Sequence, residues 1–291
     1  MSGRRVIGVD LGGTKILAAI LDETGAFDEL REGPTPSASQ EELIDALVDF
    51  VNELRDADIE AVGFGVPARI DRRTETAIGS VNTRLHDIRL RQVLADRLGM
   101  RVGVTNDGSA ATLAEYVYGA GRGANDLVLL TLGTGVGGGF VLGGQLYHGW
   151  SEVGHMVIVE DGEPCQGVCT GRGHVESYCS GRAADRLARE VLGRSATARD
   201  LVEQRHPALA TIGRHLGAAI ASVINLFDPD VVVVGGGFGV AAGELLLGPA
   251  RELVIRDALA PAGETVRLEI AELGPAAGVI GAGLVAFEAL G

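Results

Sequence analysis

Twice in this chain an apolar strand runs into a short Gly/Thr turn and straight out into a second apolar strand. The first copy comprises residues 4–11, the turn Gly12-Gly13-Thr14 and residues 15–21. The second comprises residues 126–132, the turn Gly133-Thr134-Gly135 and residues 136–142. A tight Gly-rich turn between paired strands points successive N–H groups outward and makes an anion-binding concavity. An ordinary hairpin turn reads the same way. The repetition favours phosphate, because two such turns facing one another would clamp a polyphosphate from both sides. In the first copy Asp10 ends the strand, Thr14 adds a hydroxyl and Lys15 follows the turn. Asp10 could orient a hydrated Mg²⁺. A P-loop is excluded, since no GxxxxGK[ST] precedes a helix.

The remaining pattern is mixed α/β. Helical apolar spacing appears over residues 39–54, 90–98, 107–118, about 182–192, 208–227 and from about 241, with a further helix at the end of the chain. Strands are expected at 59–66, 102–105, 231–234 and 266–271. Such an order calls for central sheets flanked by helices. The 291 residues exceed one compact core, so two lobes are expected, 1–120 and 121–291. The glycines, 44 in all, cluster after apolar runs, where they let backbone approach a ligand.

A net charge of −14 leaves no cationic stripe for nucleic acid. The first strand begins almost at the N-terminus, with no signal peptide before it. The longest uncharged stretch, residues 127–151, is interrupted by glycines and reads as strand–turn–strand rather than a membrane span. A cytoplasmic protein with no membrane partner is expected.

Three further motifs bear on chemistry. The run Val231–Gly239 places an apolar strand and a glycine turn (Gly236, Gly237) before a helix, suited to a nucleotide's adenosine part. Its Gly237-x-Gly239-x-x-Ala242 imitates a dinucleotide fingerprint, but it lies late in the chain and no strand-ending acid follows at the right distance. Asn106-Asp107 closes a short strand and opens a helix. It reads either as a helix cap or as a carboxylate at a strand's C-terminal edge, able to accept a proton from an attacking hydroxyl. Finally, His155, Cys165, Cys169 and His174 offer two thiolates and two imidazoles within 20 residues of patternless chain. That set suits a closed, structural Zn²⁺ site; the alternative is two buried thiols with unrelated histidines. Cys179 reads as a buried thiol. Glu152 and Glu176 flank the cluster as hard acceptors for sugar hydroxyls.

These motifs, in this order, resemble the ROK family (repressors, open reading frames and kinases) and within it the bacterial glucokinases. The matching pieces are DLGGTK at 10–15, GFGVPARID at 63–71, ND at 106–107, LGTGVGGG at 132–139, EVGH at 152–155 and the cysteine loop through Glu176. The resemblance implies an actin-like (ribonuclease H-like) two-lobed ATPase fold with ATP and Mg²⁺ in its cleft, each lobe a mixed sheet flanked by helices. The last helix is expected to pack back on the N-terminal lobe. It implies phosphorylation of a hexose, glucose first, on its primary hydroxyl. Another hexose or an N-acetylated amino sugar is the alternative, and a sugar-sensing protein without turnover a further one. Asp107 is then the catalytic base. Gly65, Asn82, Asn106, Glu152, His155 and Glu176 contact the sugar; Asp10, Gly12, Gly13, Thr14, Lys15, Gly133, Thr134, Gly135, Gly236 and Gly237 serve ATP. A homo-oligomer, dimer or tetramer, is implied. Repressor relatives carry a helix-turn-helix ahead of the first strand, and only three residues stand there in this chain. Two departures stand out. The family's CxCGxxGC loop reads CQGVCTGRGH, and its GxPG reads Gly65-Val66-Pro67-Ala68, where alanine disfavours a positive φ.

Overall fold

The computed structural model describes residues 3–71, 73–80, 83–167 and 169–291. The chain divides into two compact units. The first contains the chain up to Tyr118, His148–Trp150 and Ala276–Gly291; the second contains Gly119–Tyr147 and Ser151–Pro275.

Each unit is built on a five-stranded sheet, and the two sheets share one plan. In the first the order is Arg31–Pro34, Lys15–Asp22, Arg5–Leu11, Ile59–Val66, Arg101–Asn106. In the second it is Gln145–Leu146, Val136–Leu142, Leu127–Leu132, Val231–Gly235, Arg267–Ile270. In both, the first three strands pair antiparallel and the last two join by parallel pairing. The internal repeat therefore extends beyond the hairpin to the whole sheet. Parallel pairs need helical crossovers, and these place helices on the sheet faces.

Strand alternation sorts the first sheet's side chains. Ile7, Val9 and Leu11, with Val62, Phe64, Val66 and Val102, join one core with Leu43, Leu47, Leu90 and Leu94 of helices Gln40–Leu54 and Leu90–Leu98. Helix Gln40–Leu54 starts where Ser39 Oγ accepts the Glu42 N–H at 3.1 Å, with Glu41 and Glu42 in its first turn, both favourable at a helix N-terminus. The intervening strand positions include a row of glycines. Gly8, Gly63 and Gly103 stand in register across the three parallel strands. On this row lies the last helix, Ala277–Leu290. A Cβ on Gly8 or Gly63 would collide with its Val279 O or Ala282 O, and one on Gly103 would come 2.6 Å from Val285 O. Backbone meets backbone here, which only glycine permits.

The second unit's core joins Val128, Leu130, Leu132, Val232 and Val234 to helices Leu209–Phe227 and Glu244–Asp257. Helix Leu209–Phe227 is long and apolar enough to cross a membrane by length and composition. Its buried face, including Ile212, Leu216, Ile220 and Val223, belongs to this core. The single helix expected from about residue 241 is two, Gly237–Ala242 and Glu244–Asp257. The break is at Gly243, whose φ of 49° lies in the left-handed region. A small antiparallel sheet, Arg69–Asp71, Thr76–Gly79 and His86–Ile88, completes the first unit.

Candidate functional site

In the first unit the candidate residues gather at the C-terminal ends of the parallel strands, where α/β sheets bind ligands. Asp10, Gly65 and Thr105 form the next in-register row on the glycine face, with Val66 opposite Asn106 one position on. A Cβ on Gly65 would lie 3.8 Å from both Asp10 Oδ1 and Asp107 Cα. Its nearest neighbour would be Ala110 Cβ at 3.2 Å, so Gly65 is packed against helix Asp107–Tyr118, between the Asp10 carboxyl and the Asp107 backbone. Asp10 also faces Gly278 in the first turn of the last helix. Burial pushes the Asp10 carboxyl up to about 7, the neighbouring Asp107 adds to the rise, and Lys15 opposes it. Acids perturbed in this way cluster at functional sites.

The helix-cap reading of the pair is met by Asn106, and Asp107 stands at the C-terminal edge of strand Arg101–Asn106. Asn106 Oδ1 accepts the N–H groups of Gly108 (2.9 Å) and Ser109 (3.3 Å), so it caps helix Asp107–Tyr118. Its amide nitrogen donates to Ala68 O at 3.4 Å. The cap fixes the backbone on which Asp107 sits. One Asp107 oxygen, Oδ1, accepts the Gly108 N–H at 2.8 Å. Ala68 is not among the non-glycine residues with positive φ; its N–H donates to Val66 O at 2.8 Å. The chain takes this turn without the strain that alanine would otherwise bring.

The first glycine turn is closed by Gly12 N–H donating to Lys15 O at 2.9 Å, and its tip, Gly13-Thr14, is exposed. Thr35, which the sequence did not single out, braces it. Its hydroxyl donates to Gly12 O at 2.8 Å and its N–H to Thr14 O at 3.1 Å. Lys15 pairs with Glu32 at 3.0 Å on the neighbouring strand, an exposed ion pair. Asn82 lies outside the described residues.

In the second unit the remaining candidates form another block. Its glycine turn is closed by Gly133 N–H donating to Gly135 O at 2.9 Å, and Thr134 at the tip is exposed. Glu176 Oε2 accepts the Val136 N–H at 2.9 Å just past this turn. Gly154 of the EVGH motif packs where a Cβ would strike Val136 O. The 3₁₀ turn Val153–His155 is thereby held on the glycine hairpin, with Glu152 exposed at its start. Gly236, with φ 79°, ends the neighbouring strand against Leu132, and Gly237 opens the helix Gly237–Ala242.

His155, Cys165, Cys169 and His174 converge, with one donor atom from each lying within 4.8 Å of the others. His155 Nδ1 and His174 Nδ1 are 3.2 Å apart; Cys165 Sγ to His155 Nδ1 is 3.8 Å and Cys169 Sγ to His174 Nδ1 is 3.7 Å. Tetrahedral ligands at Zn–N and Zn–S bond lengths stand about 3.3 Å (N···N) and about 3.6 Å (N···S) apart. The donor set and its spacing fit a tetrahedral metal. The Gly171 N–H donates to Cys169 Sγ at 3.4 Å. The loop is a short hairpin, with bridges Val157↔His174 and Pro164↔Arg172. Both imidazoles turn Nδ1 to the cluster, which leaves Nε2 of exposed His155 on its other side. Cys179 is fully buried, its thiol pushed well up by burial.

The chain is similar to known proteins over nearly its whole length. A sequence model of the ROK family matches residues 6–289. A glucokinase of Streptomyces coelicolor is 34 % identical over 97 % of this chain and 97 % of its own length. A glucokinase of Thermotoga maritima is 33 % identical over 99 % of this chain and 98 % of its own. Among solved structures, a ROK family glucokinase from Streptomyces griseus, in complex with glucose and AMPPNP, superposes with a TM-score of 0.83. That protein is 32 % identical to this chain, and the match covers 98 % of this chain and 99 % of the other. The actin-like α/β fold expected from the sequence is the fold of this chain.

Proposed function

The chain belongs to the ROK family, and from that premise we propose that it is an ATP-dependent sugar kinase that phosphorylates glucose on its primary hydroxyl. The observation that carries the reading is the row Asp10–Gly65–Thr105 with Asp107 beside it. Two carboxylates stand at the ends of parallel strands, next to a glycine turn. A sugar hydroxyl needs only one well-placed base and a stabilised phosphoryl group for transfer.

In this reading Asp107 orients the primary hydroxyl and accepts its proton as the oxygen attacks the γ-phosphorus. The helix cap made by Asn106 holds that carboxylate in place, so less reorganisation accompanies the transfer. Gly65, Asn106, Glu152, His155 Nε2 and Glu176 are the sugar's contacts, with Asn82 among them. The turns Gly12–Lys15 and Gly133–Gly135 serve the phosphates, and Gly236 and Gly237 the adenosine. Mg²⁺, when bound near Asp10, would neutralise phosphate charge. Zn²⁺ on His155, Cys165, Cys169 and His174 would brace the loop that carries the sugar contacts, without chemistry of its own. A cytoplasmic homo-oligomer is part of the same reading.

A coupled ADP-release assay with ATP, Mg²⁺ and a panel of glucose, mannose, fructose, N-acetylglucosamine and N-acetylmannosamine tests it. Glucose turned over fastest is the expected result. Preference for an acetylated sugar keeps the kinase and moves the substrate. No turnover by folded, zinc-loaded protein overturns the reading.

A further inference from the structure

The metal loop and the second glycine turn are joined by two side chains. Glu176 stands two residues beyond the ligand His174, and its Oε2 accepts the Val136 N–H at 2.9 Å, where the turn re-enters its strand. The contact is close enough that a Cβ on Gly135 would collide with the same oxygen. Gln166, next to the ligand Cys165, supplies the second link. Its Nε2 donates to Ser180 Oγ at 2.6 Å and to Glu176 O at 3.2 Å. Ser180 caps the helix Gly181–Leu192, whose first N–H, that of Gly181, donates to Gly133 O at 2.7 Å. Gly133 opens the turn and Val136 follows it. Val136 is thus tied directly to Glu176, and Gly133 is tied to Gln166 through Gly181 and Ser180.

We propose that Glu176 and Gln166 are positioning residues for the Gly133–Gly135 turn, and that through them metal occupancy sets the affinity for nucleotide phosphate. The inference rests on the kinase reading and extends it, since that reading gives the metal loop to the sugar alone. A carboxylate accepting a backbone N–H is a charge-assisted bond. Losing it frees the exit of the turn. Losing the metal frees His174 and, with it, the short helix Val175–Cys179 that carries Glu176.

The experiment is a thermodynamic cycle on the full chain. The dissociation constant of the non-hydrolysable analogue AMPPNP is measured by calorimetry for wild type, Glu176→Ala, Glu176→Gln and Gln166→Ala, each zinc-loaded and each chelated. Zinc stoichiometry and melting temperature are read alongside. Chelation is expected to weaken wild-type binding roughly tenfold. Glu176→Ala is expected to weaken it by a similar factor with one zinc still bound, and chelating that variant to add less than twofold. Glu176→Gln keeps an acceptor and should retain most of the affinity. Gln166→Ala tests the second link: its nucleotide affinity should fall while glucose affinity holds. If the two effects multiply in full, or AMPPNP affinity is indifferent to metal in wild type, the coupling is overturned. Wild type that turns over sugar while every variant binds AMPPNP normally sinks this inference alone. Zinc-loaded wild type that neither binds AMPPNP nor phosphorylates sugar sinks the kinase reading and this inference with it.

Discussion

Asp10 and Gly278 stand so close that a Cβ on the glycine would lie 2.9 Å from Asp10 Oδ1. The carboxyl is held between a sheet end and the start of a helix, mostly out of water and near Asp107. Its burial dominates, and its pKa rises from 3.8 to about 7. Such a group is easy to fold around when neutral and costly when ionised. The unfolded chain ionises first, so the stability tied to Asp10 is whole below pH 3.8 and is lost as pH rises through about 7. That separation corresponds to ~4 kcal/mol. The helix N-terminus beside it offsets ~1 kcal/mol. In metal-free protein, Asp10→Asn should therefore raise the melting temperature at pH 8 and leave it unchanged at pH 4. Equal gains at both pH values would contradict the burial argument.

Replacing the proposed base should separate chemistry from binding. Asp107→Ala is expected to lower kcat by about 10²- to 10⁴-fold while AMPPNP affinity stays within a few-fold. Asn106 keeps its cap, with Oδ1 on the Gly108 and Ser109 N–H groups, so the helix should stay folded. A near-normal kcat would remove Asp107 from the chemistry.

The metal prediction is compositional and thermal. Purified protein should carry one equivalent of zinc by elemental analysis. Chelation should lower the melting temperature, and His174→Ala should lose the metal. Substoichiometric zinc with an unchanged melt would leave the four donors as an ordinary loop cluster.

The glycine row offers a matched pair. A Cβ on Gly63 would collide with Ala282 O, whereas one on Gly79 meets nothing within 4 Å. Gly63→Ala should cost more than ~3 kcal/mol or prevent folding, because overpacking against backbone cannot relax by rotamer change. Gly79→Ala should stay within ~0.5 kcal/mol of wild type. Chemical denaturation of the two variants decides it.

The sequence carried the sheets and the donors further than it carried their connections. Strands such as Ile59–Val66 and Val231–Gly235 announce themselves by apolar runs that end at glycine or proline. The four clustered Cys and His donors are legible because they lie close in sequence. The three small strands from Arg69 to Ile88 are not, since Ala77 is their one fully buried residue and no alternation marks them. Thr35 and Gln166 were also invisible. Each acts through one hydrogen bond or two to residues 10 to 23 positions away. No periodicity encodes such a bond. The register of Gly8, Gly63 and Gly103 belongs to the same class, for it exists only once three distant segments pair.

That glycine row has a bearing on how the chain is made. The groove it forms is filled by residues 277–290, which are synthesised after every strand of both sheets. During synthesis the glycine face of the first sheet stays only partly covered, by helix Asp107–Tyr118, while the whole of the second unit emerges. The second unit, continuous from Gly119 to Pro275 apart from His148–Trp150, can condense during translation. The first unit would thus be the later to mature, and a released chain ending at residue 275 should resist protease over residues 119–275 while its earlier part is cut.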